Sequence, residues 1–478
     1  MQEKENVTTV EESSAVGDQE GTGEALPVKN HKGFTGKIGF VLAAAGSAVG
    51  LGNLWRFPYL AAKYGGGIFL LVYIALAVTF GFSLLVLEIA IGRHTGKDVI
   101  GAFAKLNKKT KWFGFVSLVV PVLIVPYYCV IGGWVTKYLF AYLSGDGTSG
   151  AMTGENAALY FNNFISSPWQ PIVFFIVFAL LSFAVVIFGV QKGIEKIGKI
   201  LMPLLAVLSV GLAIFAMCQK GALEGVKYFL VPKVEGINIA EVFLAALGQL
   251  FYSMSLAMCI MITYGSYMKK DTNIQKSARQ ISVFDTGFAI VAGLIIIPSV
   301  FAFSTSPSDV MQNSGPTLMF VSLPNVFSQI PGANIIGALF FLLVLFAALT
   351  SAISLIEAIV AVLRENLGMK RWQACLIIFG VVLLLGIPCS LGFGVLKMLS
   401  IGDMTLLDIF DYVSNSILMP LVAIGTCVIA GYFVNFRAIK DEIGLRVNSF
   451  RDKYFTVMIR FVAPICMLLI LIFNIIGL

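Results

Sequence analysis

Charge is scarce in this chain. Only 12% of its 478 residues are Asp, Glu, Lys or Arg, about half the share that soluble globular chains carry. A water-facing surface for a chain this long cannot be built from so few charges, which excludes a soluble enzyme, a disordered scaffold and a nucleic-acid binder. Histidine is nearly absent: His31 and His94 both lie in hydrophilic stretches and cannot form a metal cluster. The seven cysteines are scattered, mostly in apolar runs, and no two form a Cys-x-x-Cys pair, so neither a disulfide framework nor a thiolate metal site is indicated. HExxH, GxSxG and paired catalytic acids are missing too, which argues against an intramembrane enzyme. What is abundant is apolar: 58% of residues are hydrophobic, with 39 phenylalanines and 47 glycines. That is the composition of a polytopic membrane protein.

Residues 1–30 are polar and acidic (Glu3, Glu5, Glu11, Glu12, Asp18, Glu20 and Glu24) and lack an apolar core, so they read as a flexible tail and not as a signal peptide. From Lys37 onward, apolar stretches long enough to cross a hydrocarbon core of about 30 Å recur. They fall near 38–60, 67–92, 113–143, 171–190, 198–217, 239–266, 281–304, 332–363, 373–394, 405–435 and 456–477. All are expected to be helical, because lipid cannot satisfy an open backbone. We number these eleven stretches span 1 to span 11.

The cations sort onto one side of this arrangement. With the amino terminus inside, 26 of the 33 Lys and Arg residues fall in cytoplasmic segments, and the outer stretches 144–169 and 305–331 contain none. The split predicts a cytoplasmic amino terminus and an outer carboxyl terminus. Residues 436–455 read as a basic amphipathic inner loop ahead of a peripheral last helix, its charge explained by that same rule. A short outer stretch at 144–169 and the lack of an outer glycosylation sequon suit a bacterial inner (plasma) membrane.

Spans 1 and 6, which would each begin a set of five helices, are interrupted. Span 1 holds GSAVGLGN (46–53) and span 6 holds SMSLAM (253–258). Each glycine weakens a helix by about 1 kcal/mol relative to alanine, and serine hydroxyls divert backbone hydrogen bonds. Close packing through small residues would explain span 1 alone equally well. Interruptions at matching places in two halves favour discontinuous helices around a midplane site. In such a site the amides of Leu51 and Gly52, opening the outer half-helix, suit a carboxylate.

The run GSAVGLGNLWRFP (46–58) resembles the first helix of the neurotransmitter:sodium symporter family, especially its bacterial amino-acid transporters. The similarity continues through YGGGIF (64–69), EIAIGR (88–93), Tyr127-Tyr128, QLFYSMS (249–255), TYGSY (263–267) and Leu349-Thr-Ser351. It covers residues 31 to about 435. The resemblance implies an all-α polytopic membrane protein of LeuT-type fold: five plus five inverted repeats, broken helices 1 and 6, and eleven transmembrane helices. The domains expected are a flexible cytoplasmic tail (1–30), a transporter core (31–435), and an inner amphipathic loop with a peripheral eleventh helix (436–478).

The same resemblance implies the site residues. Tyr128 would reach the substrate carboxylate, and Ser47, Ala48, Gly50 and Ser351 would line the same place. Ile124, Tyr252, Ser253, Ser255, Met258 and Leu355 would surround the side chain, an apolar pocket with polar punctuation. In the family's monoamine transporters an aspartate stands where this chain has Gly50, so a substrate carrying its own carboxylate, a hydrophobic or aromatic amino acid, is expected. A first sodium would use the Ala48 carbonyl, Asn53, Ser253, Asp285 and the bound carboxylate. A second would use the carbonyls of Gly46, Val49 and Ala347 with the hydroxyls of Thr350 and Ser351. These are hard oxygen ligands; without the motif, bonding of both hydroxyls back to their own helix would be preferred, and the motif favours the ion role.

Asp285 departs from relatives with asparagine there. An acid in an apolar span is costly and points to function; it could supply the negative charge for which chloride-dependent relatives use the anion, with Tyr73, Gln249 and Ser253 near it. Chloride is therefore not expected as a cofactor. Arg56 and Asp411 resemble the outer gate, with Tyr252 as lid. Inside, Glu365 matches the family acid and Tyr267 its bracing tyrosine, while Phe34 replaces a tryptophan and His31 or Lys32 stands at the basic position. Glu88 matches an acid with a structural role. The expectation is a sodium-coupled symporter working by alternating access, its partners a small amino acid and the lipid bilayer. A sodium-independent carrier of the same fold and a membrane amino-acid sensor are the alternatives.

Overall fold

The computed structural model describes residues 33–476 apart from 151, 155, 235, 305–314, 331 and 403. His31 and Lys32 lie outside the described residues, as does the acidic tail. Among the described residues nine helices are long and apolar enough to cross a membrane. They are span 2 (Gly67–Thr95), span 3 (Lys108–Leu143), span 4 (Gln170–Ile187), span 5 (Val190–Met217), span 7 (Ile274–Phe303), span 8 (Ala333–Asn366), span 9 (Arg371–Leu391), span 10 (Leu406–Phe433) and span 11 (Phe450–Ile476). Span 1 is a bent pair, Lys37–Ala48 and Gly52–Lys63, whose halves diverge by 49°. Span 6 is cut into Ile239–Ser253 and Ile260–Ser266, neither long enough to cross alone. The eleven apolar stretches recur, two of them in pieces.

Several helices start earlier than hydropathy alone indicates. Span 7 begins at Ile274, where the Asn273 side chain accepts from the Lys276 amide at 2.8 Å. Span 11 begins at Phe450, capped by Ser449 accepting from the Asp452 amide at 3.2 Å. Both first turns are polar: a capped helix runs past the hydrocarbon edge without cost, so hydropathy marks where lipid begins and the cap marks where the helix begins.

Spans 3 and 8 are the third members of the two sets of five. At 36 and 34 residues they are the longest spans, and they pack along one another. Five crossings is an odd number, so the second set enters the membrane from the opposite face and the sets are inverted repeats. Broken spans 1 and 6 lie against this pair.

The inner half of span 6 is strapped to span 2 by two glycines. A Cβ on Gly92 would lie 1.9 Å from the Ile262 carbonyl oxygen, and one on Gly265 would lie 2.4 Å from that of Ile89. The helices therefore touch backbone to backbone. Outside the spans, the basic inner loop folds into a short helix, Phe436–Ile443. Its Glu442 accepts from Arg93 Nε at 2.7 Å and from Lys270 Nζ at 3.0 Å, tying the ends of spans 2, 6 and 10 together. Burial acts to raise the Glu442 carboxyl, but the hydrogen bond and charge of Lys270, with Arg93 beside it, hold it below the ordinary carboxylate value.

Two outcomes are expected. Gly92→Ala costs about 1–3 kcal/mol, read as a lowered apparent Tm or loss of the monodisperse species, whereas Gly211→Ala, with nothing within 4 Å, changes neither. Because the folded value of Glu442 is depressed, its contribution is full above about pH 4.3 and disappears as pH falls through the lower folded value. Glu442→Gln should thus lower the apparent Tm at neutral pH, and the gap to wild type should begin to narrow only below about pH 4.3 and close as the pH falls further.

Candidate functional site

Span 1 breaks at Val49, whose ψ of 98° leaves the helical region. Among the described residues, no backbone hydrogen bond joins the carbonyls of Gly46, Ser47 and Ala48 to the amides of residues 50–52. Side chains take over both sides of the gap. The Gly50 amide donates to Asn53 Oδ1 at 3.1 Å, and the Leu51 amide to the Tyr128 hydroxyl at 3.4 Å. The Ser47 carbonyl accepts from Ser255 Oγ at 3.0 Å and Ser351 Oγ at 2.9 Å. Spans 3, 6 and 8 thus all reach into the break.

Span 6 breaks over residues 254–259, where Ser255, Ala257 and Cys259 have φ of 53°, 58° and 64°. None is glycine, and each such conformation costs about 1–2 kcal/mol. Alternating signs of φ turn successive amides toward one side. On that side Glu88 Oε1 accepts from the Ala257 amide at 2.7 Å. Glu88, buried in span 2, is therefore the anchor of the unwound segment.

Between the two breaks lies a cavity with about 30 Å³ free. All thirteen residues expected around a substrate line it: Ser47, Ala48, Gly50, Leu51 and Gly52; Ile124 and Tyr128; Tyr252, Ser253, Ser255 and Met258; Ser351 and Leu355. Ile260 joins them; it opens the inner half of span 6, and its aliphatic neighbours concealed it in the sequence. The free volume is far below the roughly 300–1,000 Å³ of ligand clefts, so an occupant must part the walls. Met258, the most adaptable of them, is the wall best able to give way. Gly50 faces the opposite constraint: a Cβ there would lie 2.5 Å from Ser351 Oγ and 3.1 Å from the Tyr128 hydroxyl.

The residues of the first expected ion site are together. Asp285 is fully buried. Its carboxylate accepts from Ser253 Oγ at 2.6 Å, Asn53 Nδ2 at 2.8 Å and the Tyr73 hydroxyl at 3.2 Å. Gln249 does not reach it and donates to the Gly52 carbonyl at 2.9 Å instead. At the second, a Cβ on Gly46 would lie 3.3 Å from Thr350 Cβ, which marks how closely span 1 approaches span 8. Ser351 Oγ reaches the Val49 carbonyl at 3.5 Å, while Thr350 Oγ1 bonds back to the carbonyls of Ala347 and Phe346 at 3.0 and 3.2 Å.

On the outer side, the Arg56 guanidinium lies 5.6 Å from the centre of the Tyr252 ring. Asp411 accepts from Asn415 Nδ2 at 2.5 Å, and no direct ion pair joins Arg56 to Asp411 among the described residues. On the inner side Phe34 is buried, its ring 5.5 Å from that of Tyr264 and 6.3 Å from that of Tyr267. Glu365 accepts from the Asp98 amide at 3.1 Å. Tyr267 turns to a different acid: its hydroxyl donates to Glu357 Oε1 at 2.9 Å, and Arg371 holds Glu357 Oε2 through two N–H groups at 2.9 and 2.5 Å. This triad was missed in the sequence, although an acid at 357 inside an apolar span was a sufficient signal.

A model of the sodium:neurotransmitter symporter family matches residues 31–148 and 155–478. The chain is 38% identical over 456 residues to the "uncharacterized sodium-dependent transporter YhdH" of Bacillus subtilis (strain 168), across 93% of this chain and 97% of that protein. It is 27% identical over 466 residues to the sodium- and chloride-dependent GABA transporter 2 of Homo sapiens, across 86% of this chain and 75% of that one. The crystal structure of MhsT in complex with L-phenylalanine superposes with a TM-score of 0.83 at 38% identity, covering 92% of this chain and 99% of that one. One added methyl tests the cavity: Gly50→Ala should reduce sodium-driven uptake tenfold or more while expression and apparent Tm stay near wild type.

Proposed function

We propose, starting from the fact that this chain belongs to the sodium:neurotransmitter symporter family, that it carries hydrophobic or aromatic L-amino acids inward together with sodium and without chloride. It is a sodium-dependent membrane transporter and not an enzyme. The observation that carries the substrate reading is the cavity between the two breaks. At one end stand the Leu51 amide and the Tyr128 hydroxyl, donors suited to a carboxylate. At the other stand Ile124, Met258, Ile260 and Leu355, which suit an apolar side chain. Gly50 adds no carboxylate for an amine substrate. The L-phenylalanine in the MhsT complex, a structure matched over 92% of this chain, supports the same substrate class.

The ion reading is two sodium sites. The first joins the Ala48 carbonyl, Asn53, Ser253 and Asp285 to the substrate carboxylate, so ion and substrate complete one another. The second uses the carbonyls of Gly46, Val49 and Ala347 with Thr350 and Ser351. Asp285 takes the place of chloride because it brings a fixed anion to the first site, held by three donors. Two sodium ions with a zwitterion move two charges, worth about 4.6 kcal/mol at 100 mV. A tenfold sodium gradient adds about 1.4 kcal/mol per ion, enough together for roughly 10⁵-fold accumulation. Alternating access would pass from Arg56, Tyr252 and Asp411 outside to Lys32, Phe34, Tyr267 and Glu365 inside, in a plasma membrane with the amino terminus cytoplasmic and the carboxyl terminus outside.

The test is uptake into vesicles containing purified protein, with the twenty amino acids as competitors. Leucine, phenylalanine and their apolar relatives should compete and should need sodium. Replacing chloride by gluconate should leave wild-type uptake unchanged, while Asp285→Asn should lose tenfold or more in gluconate and recover in chloride. A wild type that stops in gluconate would overturn the role given to Asp285. Binding without accumulation would turn the protein into a sensor.

A further inference from the structure

The outer face of span 2, the start of span 7 and the start of span 11 enclose a groove of about 760 Å³, remote from the cavity between the breaks. Val78, Phe82 and Val86 form one wall, and Tyr454 and Phe455 the other. Thr79 and Ser83 also line it, but their hydroxyls donate to the Ala75 and Thr79 carbonyls of their own helix at 2.7 and 2.8 Å. The wall therefore presents no unmet donor to lipid. From Val86 to Val78 it runs about 12 Å along the helix axis, deep into the hydrocarbon layer.

The mouth has a different chemistry. Lys276, Arg279 and Arg451 stand there, all exposed. No lining residue is acidic, and none of the three cations forms an ion pair among the described residues. Acids on the neighbouring loop are engaged elsewhere: Glu442 with Arg93 and Lys270, Asp441 with Arg437, and Asp452 with Lys440. Three positive charges thus stand without an ion-pair partner among the described residues at the open end of an apolar trough.

Arg279 has a second position of interest. It also lines an apolar groove of about 390 Å³ on the other flank of span 7, walled by Val210 of span 5 and by Val283, Phe284, Phe288 and Val291. One guanidinium therefore stands where two troughs meet.

We propose that these grooves hold one anionic glycerophospholipid from the leaflet on the side of the cation-rich loops. Its phosphate lies on Arg279, Lys276 and Arg451, and its acyl chains lie on either side of span 7. A planar guanidinium suits a phosphate oxygen pair. Two chains leaving one headgroup match two troughs leaving one arginine. A zwitterionic lipid brings its own cation to a mouth that already holds three, and an anionic headgroup does not.

The full chain is reconstituted in equal parts of phosphatidylglycerol and phosphatidylcholine, extracted in mild detergent, and its retained lipid quantified. Wild type should retain phosphatidylglycerol selectively. Replacing Lys276, Arg279 and Arg451 by Gln should lower that selectivity about fivefold per charge removed. Replacing the exposed Lys108, Lys109 and Lys111 by Gln, at the same end but off the groove, should leave it intact. Val78→Trp fills the trough from an exposed position and should reduce retention with every charge in place. Equal retention of both lipids, or equal loss in the control triple, overturns the proposal. So does displacement by inorganic phosphate alone, which would make the site one for free anions. A selectivity that appears only after deletion of residues 1–30 would overturn it too, by assigning the mouth to the acidic tail.

Discussion

A polypeptide that leaves helical geometry inside a membrane must find new partners for every amide and carbonyl it frees, because lipid offers none. Spans 1 and 6 both do this, and the rest of the molecule is arranged around supplying those partners. Asn53 holds the Gly50 amide with its oxygen and the Asp285 carboxylate with its nitrogen. Ser351 and Ser255 converge on the single carbonyl of Ser47. Glu88 holds the middle of the span 6 break through the Ala257 amide. A cavity lined by half-satisfied backbone follows as a geometric consequence. Its polar groups are peptide ends and hydroxyls, which cost less to bury than a full charge and bind both a carboxylate and a small cation.

The two breaks are not equivalent. Span 1 unwinds where Gly46, Gly50 and Gly52 make departure from the helix easy, and at Gly50 a side chain has no room, since Ser351 and Tyr128 press on it. Span 6 unwinds through Ser255, Ala257 and Cys259, which have no such freedom. A strained segment persists only when its surroundings hold it. Here the hold comes from Glu88 on one side and Ser47 on the other. The break in span 6 therefore depends on spans 1 and 2, whereas the break in span 1 is eased by its own glycines.

This asymmetry explains what could be read from the residues. Apolar length located the spans, and glycine located the first break, because both act through local chain properties. The resemblance at 46–58 then carried the cavity lining, which the fold gathers at one place. Ile260 escaped because an isoleucine in an apolar span carries no local mark. The partner of Tyr267 differs: Glu357 was marked as an acid in an apolar span, but it and Arg371 lie on different spans, and only packing shows that they meet beneath the tyrosine. The early starts of spans 7 and 11 were invisible to hydropathy because their caps, Asn273 and Ser449, begin each helix with a polar turn ahead of the apolar stretch. The grooves beside span 7 could not be seen at all, since a trough is a property of three helices and not of any one.

Span 2 links these parts mechanically. Along one helix it places Tyr73 on Asp285, Glu88 on the unwound segment, Gly92 on the backbone of span 6 and Arg93 on the inner loop. The inner half of span 6 cannot swing alone, because the Gly92 and Gly265 contacts leave no gap for one backbone to slide past the other. Any opening toward the cation-rich side must carry the inner end of span 2 with it, or separate two helices in backbone contact. If span 2 moves, its outer face moves too, and that face is the wall of the trough bounded by Val78, Phe82 and Val86. A lipid seated there touches the same helix whose Tyr73 holds the Asp285 carboxylate, so its differential affinity for two positions of span 2 is the means by which it would bias the transport cycle.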